Sequence, residues 1–250
     1  MDLKALIPPK LRLMRSRMIH RVRQDASYFE ERERADFFRR AFRALQFNRI
    51  SGDYAEFGCC GGMTFGMAHA SIRKSGGGRR LWAFDSFEGL PPQDGRRDSH
   101  PKWVKGDMAI SVSDFHSICQ ANGLAKADYS VVPGFFDKSL AANSLDQADR
   151  PRDIALAYID CDLYSSTLDV LEFLSPRLRH GMILAFDDYF CWSSDAVSGE
   201  RLAVKELALA REDLAFSPYL TFGWHGMSFM VESRAGLATD EASIARLRLA

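Results

Sequence analysis

The chain has 250 residues, 46% hydrophobic and 26% charged, with a formal net charge of zero. That length suits one sizeable α/β domain with an appendage, and the composition is too apolar for a disordered chain. Zero net charge provides no general field for nucleic acid or a membrane surface, and no apolar run is long enough to span a bilayer. The five cysteines (Cys59, Cys60, Cys119, Cys161 and Cys191) are odd in number and lack CxxC spacing, so they read as reduced thiols. Without an apolar leader and cleavage site, the expectation is a soluble cytoplasmic protein.

Leu3 to Val22 mixes apolar residues with Lys and Arg around Pro8-Pro9. From Tyr28 to Leu45, Phe29, Phe37, Phe38, Phe42 and Leu45 recur at helical spacing among Glu and Arg. Residues 1–50 therefore read as a helical region, a lid over the main domain or a contact in a homo-oligomer, whose basic start could touch an anionic membrane surface. Residues 51–250 read as one domain.

From Gly52 onward, strands and helices alternate. Asp53–Phe57 is predicted as a strand, followed by a Gly-rich turn and a helix from Thr64 to Lys74 that stops at Ser75-Gly76-Gly77-Gly78. Arg80–Phe84 is the next strand, Ser113–Ala121 a helix and Tyr129–Pro133 a third strand. Ile154–Ile159 and Met182–Phe186 are further strands, with a helix from about Ser166 to Leu178 between them. A helix over Leu202–Arg211 follows, with Gly199-Glu200 read as its cap. The paired runs Pro218–Phe222 and Met227–Val231 then make a hairpin. The pattern predicts an α/β fold, a doubly wound and mostly parallel sheet with an antiparallel C-terminal edge.

Two of these strands run straight into acid. Ile154–Ile159 ends at Asp160-Cys161-Asp162, and Met182–Phe186 ends at Asp187-Asp188. Continuous apolar runs read as central parallel strands, whose C-terminal ends open into a ligand crevice. Carboxylates converging there repel one another, share protons or bind a cation, and a cation is the expected resolution.

The turn Glu56-Phe57-Gly58-Cys59-Cys60-Gly61-Gly62 lets backbone pass close to a ligand, but Cys60 breaks the G-x-G-x-x-G of dinucleotide sites. Glu56 would repel a pyrophosphate and suits an amine-bearing end. Asp85, closing the next strand, can accept both hydroxyls of a ribose. A phosphate-free nucleoside with a cationic amino-acid end is S-adenosylmethionine.

Glu56-Phe57-Gly58, Phe84-Asp85-Ser86-Phe87-Glu88-Gly89-Leu90-Pro91, Asp160-Cys161-Asp162-Leu163-Tyr164 and Asp187-Asp188-Tyr189, in that order, resemble the macrocin O-methyltransferase family over roughly Gly52 to Glu232. The resemblance implies a class I methyltransferase fold and Mg²⁺-dependent methyl transfer from S-adenosylmethionine to a sugar hydroxyl. It implies that Glu56, Gly58 and Gly62 hold the methionine end and that Asp85, with Ser86, holds the ribose. Asp160, Asp187 and Asp188 match the metal ligands, with Asp160 facing both metal and methyl donor in a catalytic position. The chain departs from the family at Cys161, where Gly is common, and over Asp94 to Asp107.

A proton acceptor is also needed, and His100 in that loop is the candidate, with His225 second and His69 left to packing. Trp103 is a candidate to stack on a sugar, and Phe135-Phe136 to wall an adenine. The alternatives are a phenol or catechol acceptor, or a non-catalytic S-adenosylmethionine-binding protein on the same fold. A nicotinamide-dependent reductase is disfavoured by Glu56 and the missing G-x-G-x-x-G.

Overall fold

The computed structural model describes residues 26–141 and 150–236. The basic segment Leu3–Val22 lies outside them. In chain order the elements are α1 (Ala26–Phe47), β1 (Asp53–Phe57), α2 (Met63–Ser75), β2 (Leu81–Asp85), α3 (Val112–Ala121), β3 (Tyr129–Pro133) and the single turn α4 (Phe136–Ser139). There follow β4 (Ile154–Ile159), α5 (Tyr164–Leu174), β5 (Ile183–Phe186), α6 (Gly199–Ala210), β6 (Leu214–Phe222) and β7 (Gly226–Ser233).

The seven strands form one sheet in the order β3-β2-β1-β4-β5-β7-β6. β1 to β5 pair in parallel, while β7 is antiparallel to both β5 and β6. All six residues of β4 are buried, as an uninterrupted apolar run at the sheet centre requires. The strand order reverses between β1 and β4, and that switch point is where an open α/β sheet leaves a crevice at its carboxyl edge.

The hairpin is longer than its apolar runs suggest, and Pro218 lies inside β6 rather than at its start. β6 is an edge strand, and the register slips between Pro218 and Thr221, so the missing proline N–H breaks no continuous ladder. The helix after β4 ends at Leu174, where Pro176 turns the chain into a short 3₁₀ segment, Ser175–Arg177.

α1 is part of the domain core. Phe37, Phe38, Phe42 and Leu45 are buried in one cluster with Tyr54, Phe65, Tyr158 and Phe222. The rings of Phe37 and Phe222 stack with centroids 4.4 Å apart. The aromatic stripe of α1 thus packs as a layer against the sheet. On the other face, α5 and α6 cover Phe57, Phe84, Phe186 and their neighbours. No helix among the described residues is long and apolar enough to cross a membrane.

Candidate active site

A cavity of about 440 Å³ opens at the carboxyl edge of β1, β2 and β4, lined in part by Gly58, Asp85, Ser86, Asp160, Phe135 and Phe136. Gly58 has a φ of 86°, and a Cβ there would collide with the carbonyl oxygen of Asp160. The turn after β1 is thereby pressed against the end of β4. Gly58 N–H donates to Phe84 O at 2.9 Å, and Asp160 N–H to Phe57 O at 2.8 Å, so three strand ends are locked together beneath the cavity.

Asp85 is held on the floor of this cavity. Its Oδ2 accepts from Cys59 N–H at 2.6 Å and its Oδ1 from Phe87 N–H at 2.7 Å. Burial pushes its pKa up, while the backbone donors from Cys59 and Phe87 work the other way. With Cys60 N–H also bonding it, the carboxylate keeps at least one lone pair for a ligand hydroxyl. Ser86 Oγ donates to Gly89 O at 2.8 Å and accepts from Glu88 N–H at 3.0 Å, which folds the strand-to-loop corner back on itself.

Glu56 and Gly62 do not line the cavity. Glu56 is fully buried, accepting from Thr64 Oγ1 at 2.7 Å and from the Tyr54 hydroxyl. Burial pushes its carboxyl up to about 8. Gly62, at φ 62°, packs against Phe115 and Ile118 at the start of α2. Glu56 supports the turn from behind, because β1 is a central strand whose side chains point into packed layers, and Gly62 does so from the start of the next helix.

Beside the Gly58 turn, Asp160 of the cavity lining and its neighbours Asp187 and Asp188 present oxygens that all lie within 4.8 Å of one another. Asp187 is gripped by Arg34 of α1, from Nε to Oδ1 at 2.9 Å and from Nη2 to Oδ2 at 2.7 Å, and also accepts from the Tyr158 hydroxyl. Burial opposes the charged guanidinium, yet hydrogen bonding and attraction to Asp187 hold its pKa above the usual arginine value. Asp162, at φ 61°, and Glu200 bring two more buried carboxyls alongside. Burial pushes Asp162 up to about 7, and burial followed by mutual repulsion raises Asp160, Asp188 and Glu200 well above the carboxylate range.

Fully ionised, these acids would bear more negative charge than Arg34, bonded among them to Asp187 alone, can balance, and their raised pKa values express that repulsion. Three converging carboxylates are a hard, all-oxygen donor set, and the surplus charge fits a divalent cation of the Mg²⁺ kind. Asp188, Cys191 and His225 form a second close group, but His225 is already committed. Its Nδ1 faces the carbonyl oxygen of Asp187 and must carry the proton, while Nε2 accepts from Arg34 Nη2 at 3.1 Å. That fixes the neutral tautomer and leaves no free ring nitrogen, so His225 as found here is a brace and has no lone pair for a base.

His100 lies outside the cavity lining, its ring stacked on Trp103 with centroids 4.7 Å apart. Burial and the charge of Lys102 pull its pKa down. His69 is buried in α2, as packing requires. The loop carrying His100 is anchored by Asp98, which accepts from Ser165 N–H, Ser165 Oγ and Asp94 N–H, each at 2.8 Å.

Sequence reading did not single out Arg34, Asp98 or Glu200. Arg34 had a signal: it lies one helical turn before Phe37 and Phe38, on the buried stripe. Glu200 was read as a cap, but Ser198 occupies the N-cap position and Glu200 is fully buried behind the acids. Nothing local marks Asp98.

Residues 24–207 match the family described as Macrocin-O-methyltransferase (TylF). The chain belongs to that family. The match begins ahead of α1, so the likeness takes in the helix that carries Arg34. Among relatives, the chain is similar to the 8-demethyl-8-(2,3-dimethoxy-alpha-L-rhamnosyl)-tetracenomycin-C 4'-O-methyltransferase of Streptomyces olivaceus. The two are 30% identical over 146 residues, covering 56% of this chain and 54% of that one. It is also similar to the Mycinamicin III 3''-O-methyltransferase of Micromonospora griseorubida, 27% identical over 118 residues, 44% of each chain. The chain spans about half the length of the curated relatives it matches.

In fold it is similar to the O-methyltransferase NovP, with a TM-score of 0.67 and 24% identity over 81% of this chain and 80% of that one. It is likewise similar to the calicheamicin methyltransferase CalS11, with a TM-score of 0.66 and 21% identity over 92% and 96%. The fold is that of the class I O-methyltransferases.

Proposed function

We propose that the chain transfers a methyl group from S-adenosylmethionine to a hydroxyl of a sugar or glycosylated small molecule, with a divalent cation, Mg²⁺ foremost. The observation that carries this reading is the place of Asp160. It lines the same cavity as Gly58 and Asp85, and it also belongs to the acidic group with Asp187 and Asp188.

In this reading Asp85 accepts from the ribose on the lone-pair capacity that its backbone donors leave free. The Gly58 turn admits the methionine end close to backbone, and Phe135 and Phe136 wall the adenine. Glu56, beneath the turn, keeps Tyr54 and Thr64 in place rather than touching the donor. Asp160, Asp187 and Asp188 hold the cation, and Arg34 keeps Asp187 oriented. When bound, a divalent cation lowers the pKa of a hydroxyl it contacts, as zinc takes water from 15.7 to about 7. In-line displacement at a sulfonium needs the two reactants aligned, and the locked ends of β1, β2 and β4 supply a rigid floor for that. His100 could serve as base only from a loop that closes over the cavity.

A saccharide acceptor is favoured over a catechol by the rim. Trp103 follows β2, Trp192 follows β5, and Trp224 lies in the turn between β6 and β7, all at the carboxyl edge of the sheet. Trp224 is 67% exposed and leaves an apolar surface open to a sugar ring, while Trp192 carries the Arg201 guanidinium over its ring at 4.5 Å.

The test is calorimetric titration of S-adenosylmethionine into chelator-treated protein, followed by a mass-shift screen of nucleotide sugars and glycosylated natural products with and without Mg²⁺. Binding without metal and transfer only with it are expected, with Asp187→Asn losing turnover but retaining the donor. Absence of donor binding overturns the reading, and transfer that survives EDTA overturns the role of the cation.

A further inference from the structure

We propose that Glu200 is a positioning residue that sets the spacing between the two acid-bearing strand ends and so governs cation affinity. The inference rests on the cation site proposed above.

β4 and β5 are last paired at Ile159 and Phe186. Immediately beyond, Asp187 N–H still reaches Ile159 O at 2.9 Å and Asp160 N–H reaches Phe57 O at 2.8 Å. One residue further on the strands diverge, and the N–H groups of Cys161 and Asp188 turn to a side chain. Glu200 Oε1 accepts from Cys161 at 3.1 Å, and Oε2 accepts from Asp188 at 2.9 Å. One carboxyl group thus spans the gap two residues past each strand, where a ladder bond would otherwise stand. It directly ties the backbone of Asp188 and that of the residue following Asp160.

The approach of α6 is built for this reach. Gly199 has a φ of 58°, and a Cβ there would lie 3.2 Å from both Asp162 O and Cys191 O. Its N–H donates to Arg97 O at 2.9 Å. The helix start is therefore wedged between the loop after β4 and the loop after β5, with a glycine at the tightest point and Glu200 next to it. Glu200 is fully buried, and its carboxyl oxygens accept from the two acid-bearing loops. A general-purpose cap would instead serve its own helix, and Glu200 accepts no bond from α6.

The conservative variant separates the brace from bulk. In Glu200→Gln one oxygen still accepts, but the NH₂ group must face the N–H of Cys161 or Asp188. Groups that orient metal ligands from behind typically change affinity by about 10–100-fold when substituted, and a loss of that size is expected here. Mn²⁺ is the probe, with free ion read by electron paramagnetic resonance, alongside calorimetry with S-adenosylmethionine and a melting curve. The expected result is weakened Mn²⁺ binding with much smaller loss of donor affinity, whose anchors Asp85 and Gly58 receive no bond from Glu200. Glu200→Asp, which keeps both acceptors on a shorter arm, should lose less than Glu200→Gln, and it carries the measurement if the amide variant does not fold. Mn²⁺ affinity unchanged within error, or Mn²⁺ and donor affinity falling together with melting temperature, would overturn the assignment. Failure of the unsubstituted protein to bind Mn²⁺ would instead strike the cation site itself, and this inference with it.

Discussion

Arg34 clamps Asp187 across 153 positions of sequence, its Nε and Nη2 each donating to a different carboxylate oxygen. Both side chains are nearly sealed from solvent, at 10% and 7% exposure. The pair couples α1 to the tip of β5, so the helix that closes one side of the core also supplies a cation to the acidic cluster.

Breaking this pair should be costly, because Asp187 would be left charged and desolvated. Arg34→Met is expected to destabilise the protein by about 3–5 kcal/mol, as for other buried pairs that lose one partner. Arg34→Lys should fall between, since a point charge cannot replace the two-pronged guanidinium. Urea denaturation of the three proteins checks this; equal midpoints would show that the pair contributes nothing.

Two glycines of one turn should differ sharply in what their substitution costs. Gly58→Ala drives a Cβ into the backbone of Asp160, and a loss of at least about 4 kcal/mol or outright failure to fold is expected. Gly61, at φ 65°, has nothing within 4 Å of such a Cβ. Only the left-handed conformation is then penalised, at about 1–2 kcal/mol. Comparable losses in the two variants, read by thermal melting, would refute the close approach of β1 and β4.

Stability of the metal-free protein should fall as pH rises. Burial holds Glu56 at about 8, against 4.5 for the ordinary group. Between those values the folded protein keeps a proton that the unfolded chain has lost, so increasing pH favours unfolding throughout that window. Glu56→Gln removes this contribution and can still bond both Tyr54 and Thr64. Melting temperatures across the window should decline less steeply for the variant, and parallel declines would show that Glu56 does not titrate as its burial demands.

Asp98 should control the loop it anchors. Asp98→Ala leaves Ser165 N–H without its acceptor at the start of α5, an expected loss of about 1–2 kcal/mol. Because 1.4 kcal/mol is a factor of ten in opening, trypsin should cut after Arg96, Arg97 or Lys102 about tenfold faster if loop opening carries the loss. Unchanged cleavage would mean that the loop is held elsewhere, for example by Arg97 on Tyr164 and Glu206.

Much of the site was legible because its signals are local. Asp85, Asp160, Asp187 and Asp188 each follow a strand directly, and strand ends in a parallel sheet face a common crevice. Gly58 was legible for a related reason, since a strand-to-helix turn at a sheet centre needs a residue free of a Cβ. Glu56 illustrates the limit. The same spacing that put it in the turn motif could not tell whether its carboxyl looked out at a ligand or in at Tyr54 and Thr64. Its burial is a property of the layers packed on β1.

What the sequence determined by itself was the periodic content of the chain: which runs are strands, where each ends in acid, and that α1 has an apolar stripe. Backbone geometry and the hydrophobic effect act over a few residues, so these follow from neighbours alone. The tertiary structure decided which distant residues complete those ends. Arg34 meets Asp187 because α1 packs its aromatic face on Tyr158 and Phe222, and Glu200 reaches Cys161 and Asp188 because Gly199 lets α6 wedge between two loops. His225 is committed as a brace for the same reason: the β6–β7 turn sets it between Arg34 and the Asp187 carbonyl. Charge compensation in a buried site depends on three-dimensional neighbours, and no spacing along the chain encodes them.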